Sequence, residues 1–202
     1  MAEREIDRRS FEWPLTTESL VVEVGGFKGR WASEIARRYQ CRVQLFEPQR
    51  WAADLAGEAF RGSGARWEVH HYGLSTAEDA GEREMGAWGT DGCSLLKGAE
   101  YMETYEGSRD KLGIGRFRDA LPVLAELGEI DLLMMNIEGY EYRLLPYLID
   151  GGAFDHIRYL AVQFHAAFEG DGHDHGNGEG EQAAPQGYVF PKVTGAANMG
   201  QA

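Results

Sequence analysis

The stretch LVVEVGGFKGRWASEIARRY, residues 20–39, changes its hydrophobic period in the middle, and that change sets the fold class. Val21, Val22 and Val24 form a β-branched run of the kind found in strands buried on both faces, and Gly25 and Gly26 end it. From Gly29 onward Trp31, Ile35, Ala36 and Tyr39 recur at helical spacing, with Glu34, Arg37 and Arg38 on the opposite face. The order is strand, glycine turn, helix. It repeats: an apolar strand over 43–46 is closed by Glu47 and Pro48, and a helix follows with Trp51, Leu55, Ala59 and Phe60 on one side. A third strand is predicted over 66–71, where Trp67, Val69 and His71 alternate. Strands and helices in this rhythm imply right-handed crossovers and an α/β, Rossmann-like domain with a mainly parallel sheet and helices on both faces.

Further along, residues 76–111 are rich in Gly, Asp and Glu, and the pattern predicts a strand near 84–88 followed by a long loop. Long loops inside a domain are often functional. Residues 117–127 read as a helix that starts near Pro122 or is kinked by it. The most apolar run, 130–137, reads as a central strand, followed by a helix over 138–150 and a strand over 157–164. From 169 to 182 the chain is almost entirely Gly, Asp, Glu, His and Asn, a composition expected to be disordered. One more strand, interrupted by Pro191, is possible over 188–193. The expected organisation is an extension (1–19), a domain with five core strands (20–168) and a low-complexity tail (169–202). Residues 157–164 would then form an apolar edge strand, so either 188–193 folds back over it or the chain forms a homo-oligomer through it.

A chain of 202 residues suits one domain with extensions. Its 20 Lys and Arg against 33 Asp and Glu give a net charge of −13 with no basic stripe, which opposes nucleic acid as a partner. No apolar run nears the roughly 18 residues of a spanning helix, and the first ten residues mix charges, so the expectation is a cytoplasmic protein without a membrane partner. Cys41 and Cys93 fit neither a disulfide framework nor a zinc site and read as free thiols.

The chemistry concentrates at the first two strand ends, in Glu23, Gly25, Gly26, Gly29 and Glu47. Glycines admit a ligand close to the backbone, and a helix starting near Gly29 aims unpaired N–H groups at the same space. Glu47, 18 residues past Gly29 at the end of the second strand, is placed to accept hydrogen bonds from the two hydroxyls of an adenosine ribose. The spacing is E-x-G-x-x-x-G and not the G-x-G-x-x-G that accommodates a pyrophosphate. An acidic residue before the turn suits a cationic ligand end, as in S-adenosylmethionine with its ammonium and sulfonium. A nicotinamide-dependent oxidoreductase and an adenosyl-binding module without catalysis remain alternatives.

VVEVGGFKG, LFEP and MNIEGYEYRLL, together with the GTDGCSLLK loop and the VQFH strand end, resemble the FkbM-type methyltransferases from about residue 20 to 165. The resemblance implies a class I fold, S-adenosylmethionine as cofactor, and methyl transfer to a hydroxyl of a small-molecule acceptor, a saccharide or secondary metabolite. By position, Glu23, Gly25 and Gly29 would hold the methionine end, Glu47 the ribose, and the turn of Tyr72, Gly73, Leu74 and Ser75 the adenine. Two departures stand out: Asn136 where many members carry Asp, and five core strands where a complete class I enzyme has seven, so that the resemblance implies a cofactor-binding domain over 20–168 truncated or altered after its fifth strand.

Methyl transfer from a sulfonium to oxygen chiefly needs alignment, with a general base adding roughly 10² to 10⁴. Switch-point logic places Asn136, Glu138 and Glu141 beside the substrate, with Glu138 as first candidate base. Asn136, a neutral amide, can orient a substrate but cannot act as a base. His165, directly after the fifth strand, is the alternative base, its ordinary pKa of about 6.5 being suited to that role. His70 and His71 point to opposite faces of a strand and read as structural.

Overall fold

The computed structural model describes residues 12–96 and 111–165 and the backbone of 187–191. β1 (Leu20–Val24) is buried along its whole length, as its unalternating valines require. It lies between β2 (Arg42–Phe46) and β7 (Ile130–Met135), parallel to both, with Val21 opposite Val43 on one side and Leu132 on the other. β3 (Arg66–His70) extends the sheet beyond β2, and β8 (Ile157–Gln163) extends it beyond β7, all in parallel. The order is β3-β2-β1-β7-β8-β9, where β9 (Gly187–Pro191) pairs antiparallel with β8.

The two sheet faces bury different residues, as the period of two demands. Val21, Val43, Leu45 and Leu132 pack with Trp31, Ile35 and Ala36 of α1 (Arg30–Tyr39) and with Ala56 and Phe60 of α2 (Arg50–Phe60). Val22, Val24, Leu133, Met135 and Val162 face Val123 and Leu124 of α3 (Ala120–Leu127) and Leu144 and Leu148 of α4 (Glu141–Asp150). The chain is therefore an α/β, Rossmann-like fold wound to both sides of β1. Trp13 and Leu15 close the α1 side. Cys41 and Cys93 are free and buried.

A second, three-stranded sheet departs from the sequence reading. β4 (Gly73–Ser75) pairs parallel with β6 (Gly113–Asp119), and β5 (Gly81–Met85) pairs antiparallel with β6. The strand expected over 84–88 thus begins and ends earlier, and Gly86 bridges to Ser94 instead. The helix expected over 117–127 starts at Ala120, because Asp119 caps it by accepting the Leu121 N–H at 3.1 Å. Pro122 then falls in the first turn, where its missing N–H costs nothing. Phe117 belongs to β6 and is buried against Met85 and Cys93. The helix expected over 138–150 starts at Glu141, because Glu138 (φ 53°) and Gly139 (φ 94°) are left-handed and interrupt it. Trp51, expected to pack on the sheet, instead meets the Phe27 ring edge-on at 5.4 Å.

β9 covers the edge of β8, with Leu160 opposite Phe190 and Val162 opposite Tyr188. Of the two outcomes expected for an apolar β8 edge, the fold-back is the one observed, so the unpaired edge that motivated a homo-oligomer through β8 is absent. The stretch 169–182, expected to be disordered, lies outside the described residues. Among the described residues, no helix is long and apolar enough to cross a membrane.

Candidate functional site

Strand order reverses between β1 and β7, which opens a crevice at their carboxyl ends. Gly25, Gly26, Glu47, Asn136 and Glu138 all lie just past a strand end there. The carboxyl-terminal turn of β1 is pressed against neighbouring chain: a Cβ on Gly25 would lie 2.0 Å from the Asn136 carbonyl oxygen, one on Gly26 2.4 Å from Leu45 Cγ, and one on Gly29 2.9 Å from Ala56 Cβ. These glycines make room for protein as well as for any ligand. Gly25 also sits at φ +82°, where a side chain is strained. The Gly25 and Gly26 amides donate to Phe46 O at 3.0 and 3.4 Å, and the Gly29 amide to Gly26 O at 2.7 Å. None of the three is left to bind a phosphate.

Two buried carboxylates face this turn. Glu23, on the α1 side of β1, is 4% exposed, and its Oε2 has no partner. Burial holds its pKa well above the usual carboxylate range; the Ala32 amide in the first turn of α1 opposes this and the Glu47 charge adds to it. Glu47, also 4% exposed, accepts the Phe27 N–H at Oε2 and the Gln49 N–H at Oε1, each at 2.8 Å. Burial pushes it up to about 7 against the pull of those two amides. Neither carboxylate has an ion-pair partner among the described residues. Asn136, whose N–H donates to Val24 O, leaves its buried side-chain Oδ1 without a donor.

Glu138, Glu141 and His165 form a second group at the end of β7. His165 lies between the two carboxylates, with Nε2 3.2 Å from Glu138 Oε1 and Nδ1 3.1 Å from Glu141 Oε1. Glu141 is fully buried in the first turn of α4 and accepts the Ile137 N–H at 2.8 Å. Burial works against the imidazolium, but the two carboxylates overcome it and hold His165 up at about 9. The alternative general base thus has both ring nitrogens facing carboxylates, which favour its charged form, and its side chain is only 13% exposed. Glu138 is raised by burial, lowered by His165 and raised again by Glu141 and Asp91. Its carbonyl accepts the Ser94 hydroxyl at 2.7 Å, which ties the long loop across this end of β7. Burial, aided by Glu47 and Glu138, pushes the Cys93 thiol up, so this loop lies in the field of both carboxylates.

The residues assigned to adenine are packed within the protein. Gly73, Leu74 and Ser75 form β4 and not a turn, and all three are buried by protein. The Phe117 ring fills the space beside Gly73, and the Ser75 hydroxyl donates toward the Thr76 and Arg118 carbonyls. An open cleft of ≈ 270 Å³ instead lies beyond the ends of β2 and β3, lined by Pro48, Arg50, His71, Trp88, Ile114 and Arg116. Sequence reasoning also missed the tie from Tyr140, whose hydroxyl donates to Asp79 at 2.6 Å and also meets Thr76. Those residues lie more than sixty positions apart, with no local pattern to signal the contact. His70 meets Gln44 Oε1 at 2.6 Å and stacks on Phe46 at 4.4 Å.

Fold and site together define a doubly wound α/β protein with an acidic switch-point crevice. Compared with protein-family models, curated proteins and solved structures, the chain matches none.

Proposed function

We propose that the chain is an S-adenosylmethionine-dependent methyltransferase of the FkbM type that methylates a hydroxyl of a small-molecule acceptor, a saccharide or secondary metabolite. The observation that carries this reading is the surplus of buried acceptors at the crevice: among the described residues, Glu23 Oε2 and Asn136 Oδ1 have no donor, and Glu23 and Glu47 have no counter-cation. Buried acceptors without donors are costly, and a ligand that brings N–H and O–H donors with positive charge relieves that cost. The methionine ammonium suits Glu23, and a hydroxyl donor of the acceptor suits Asn136 Oδ1. Glu47 has spent one lone pair per oxygen on Phe27 and Gln49, which leaves capacity for two ribose hydroxyls.

The same features oppose a nicotinamide cofactor. Its pyrophosphate would meet two carboxylates, and the turn amides that cradle phosphate in dinucleotide sites are committed to Phe46 and Gly26.

When bound, the cofactor supplies an electrophilic methyl group. This chain's residues then hold the acceptor in line and take its proton. Glu138 is the candidate base: it sits at the switch point on a left-handed residue, a backbone conformation concentrated at functional sites, and its raised pKa moves toward the working pH. Asn136 is placed to orient the acceptor. Turnover of hydroxyl acceptors with Glu138→Gln tests the assignment: cofactor affinity is unchanged and turnover falls by roughly 10² or more. Full activity in that variant would remove Glu138 from the base role. Cofactor binding without turnover on any hydroxyl acceptor would leave the adenosyl-binding module.

A further inference from the structure

We infer that Glu141 is a positioning residue that keeps His165 doubly protonated, and that His165 in turn aims the Glu138 carboxylate at the crevice. The consequence for catalysis rests on the methyl-transfer reading, whereas the couple itself does not. The geometry runs as a chain of anchored contacts: the Ile137 N–H fixes Glu141, Glu141 Oε1 meets His165 Nδ1, and His165 Nε2 meets Glu138 Oε1. A neutral imidazole has one N–H and one acceptor nitrogen, whereas ionised carboxylates only accept. Where both carboxylates are ionised they require a proton on each nitrogen, and the ring is then a cation fixed between them.

Each anchor is set by the fold. Glu141 lies in the first turn of α4, where the helix dipole favours a carboxylate, and it is completely buried, so it cannot turn away to water. His165 follows β8 directly, and its carbonyl accepts the Tyr142 hydroxyl at 3.0 Å. Glu138 sits at φ 53° with its carbonyl tied to Ser94. Among the described residues, Asp91 on the long loop also acts on Glu138 and opposes its ionisation. A cation beside Glu138 favours its ionised form against burial, which a proton acceptor needs. His165 is thus a positioning residue, and the base is the carboxylate it holds.

The test is imidazole ¹H–¹⁵N NMR on the full chain, with the His165 signals assigned by their loss in His165→Gln. The expected result is an imidazole protonated on both nitrogens through pH 8, with a midpoint near 9. Glu141→Gln keeps an oxygen for the Ile137 N–H but removes the charge, and should lower that midpoint by about one unit or more, a tenfold loss of proton affinity. Glu138→Gln, at a less buried position, should lower it as well and serves if Glu141→Gln does not fold. A wild-type midpoint near the ordinary value of about 6.5, or a midpoint unmoved in a folded variant, overturns the couple. In turnover, Glu141→Gln should lower kcat about tenfold or more with KM unchanged; a rise in KM alone would overturn the positioning role. Failure of S-adenosylhomocysteine to bind would defeat the methyl-transfer reading instead, and the NMR result would stand apart from it.

Discussion

Glu47 is bound by two backbone amides and, among the described residues, paired with no cation, so its protonation changes both stability and binding. Its folded pKa of about 7 lies above the unfolded value near 4.3, so the native state holds the extra proton between those limits. The stabilisation is present below about pH 4 and is lost as pH rises through 7. Thermal melts of the ligand-free protein should show Glu47→Gln removing part of a decline in Tm between pH 5 and 7.5; parallel profiles would refute the shift. His165 acts the same way in a higher window, its contribution complete below about 6.5 and lost through about 9. A ligand that brings an ammonium to Glu23 and hydroxyl donors to Glu47 reverses the preference, since it binds their ionised forms. S-adenosylhomocysteine affinity should therefore rise from pH 6 to 8, measured by calorimetry in buffers of different ionisation enthalpy that reveal released protons. Glu47→Ala should weaken it by about 1.5–3 kcal/mol, roughly 10- to 150-fold. Glu47 was legible because a strand end and its spacing from Gly29 are local patterns. The Glu141–His165 contact was not: placement at one sheet edge could be read from strand ends, but which side chains touch across 24 residues depends on packing.

At the scale of elements, the turn after β1 is where the sheet tolerates least. Gly25→Ala places a methyl 2.0 Å from the Asn136 carbonyl at a positive φ, and should destabilise by roughly 2–4 kcal/mol in urea unfolding. Gly57→Ala, in α2 with no atom within 4 Å of the new methyl, should instead stabilise by about 0.5–1 kcal/mol. A neutral Gly25→Ala would mean that the β1 turn does not press on β7. The five parallel strands were readable because strands buried on both faces are short, continuous apolar runs between glycine or acidic stops. β6 was not, because only Gly115 and Phe117 turn inward along Gly113–Asp119. With Phe117, Ala120, Leu121 and Leu124 also falling at helical spacing, the run merges with the helix after it, and only the Asp119 cap separates the two. β4 has three residues, too few for any period to show.

For the whole molecule, β9 matters as a cover. Ending the chain at residue 168 removes it and exposes the backbone edge of β8, so light scattering should find the shortened chain self-associating and the full chain less so. Two monodisperse monomers would show that β8 needs no cover. Cofactor affinity should survive this truncation, since Glu23, Glu47 and Asn136 sit at β1, β2 and β7, away from the β8 edge. The acidic crevice and the orientation of the sheet converge on one expectation about ligand charge. Isothermal titration of the full chain with S-adenosylhomocysteine and, separately, with NAD tests it most directly. Saturable binding of S-adenosylhomocysteine, weakened roughly 10- to 150-fold in Glu47→Ala, with no binding of NAD, is the predicted result; binding of NAD alone would contradict it.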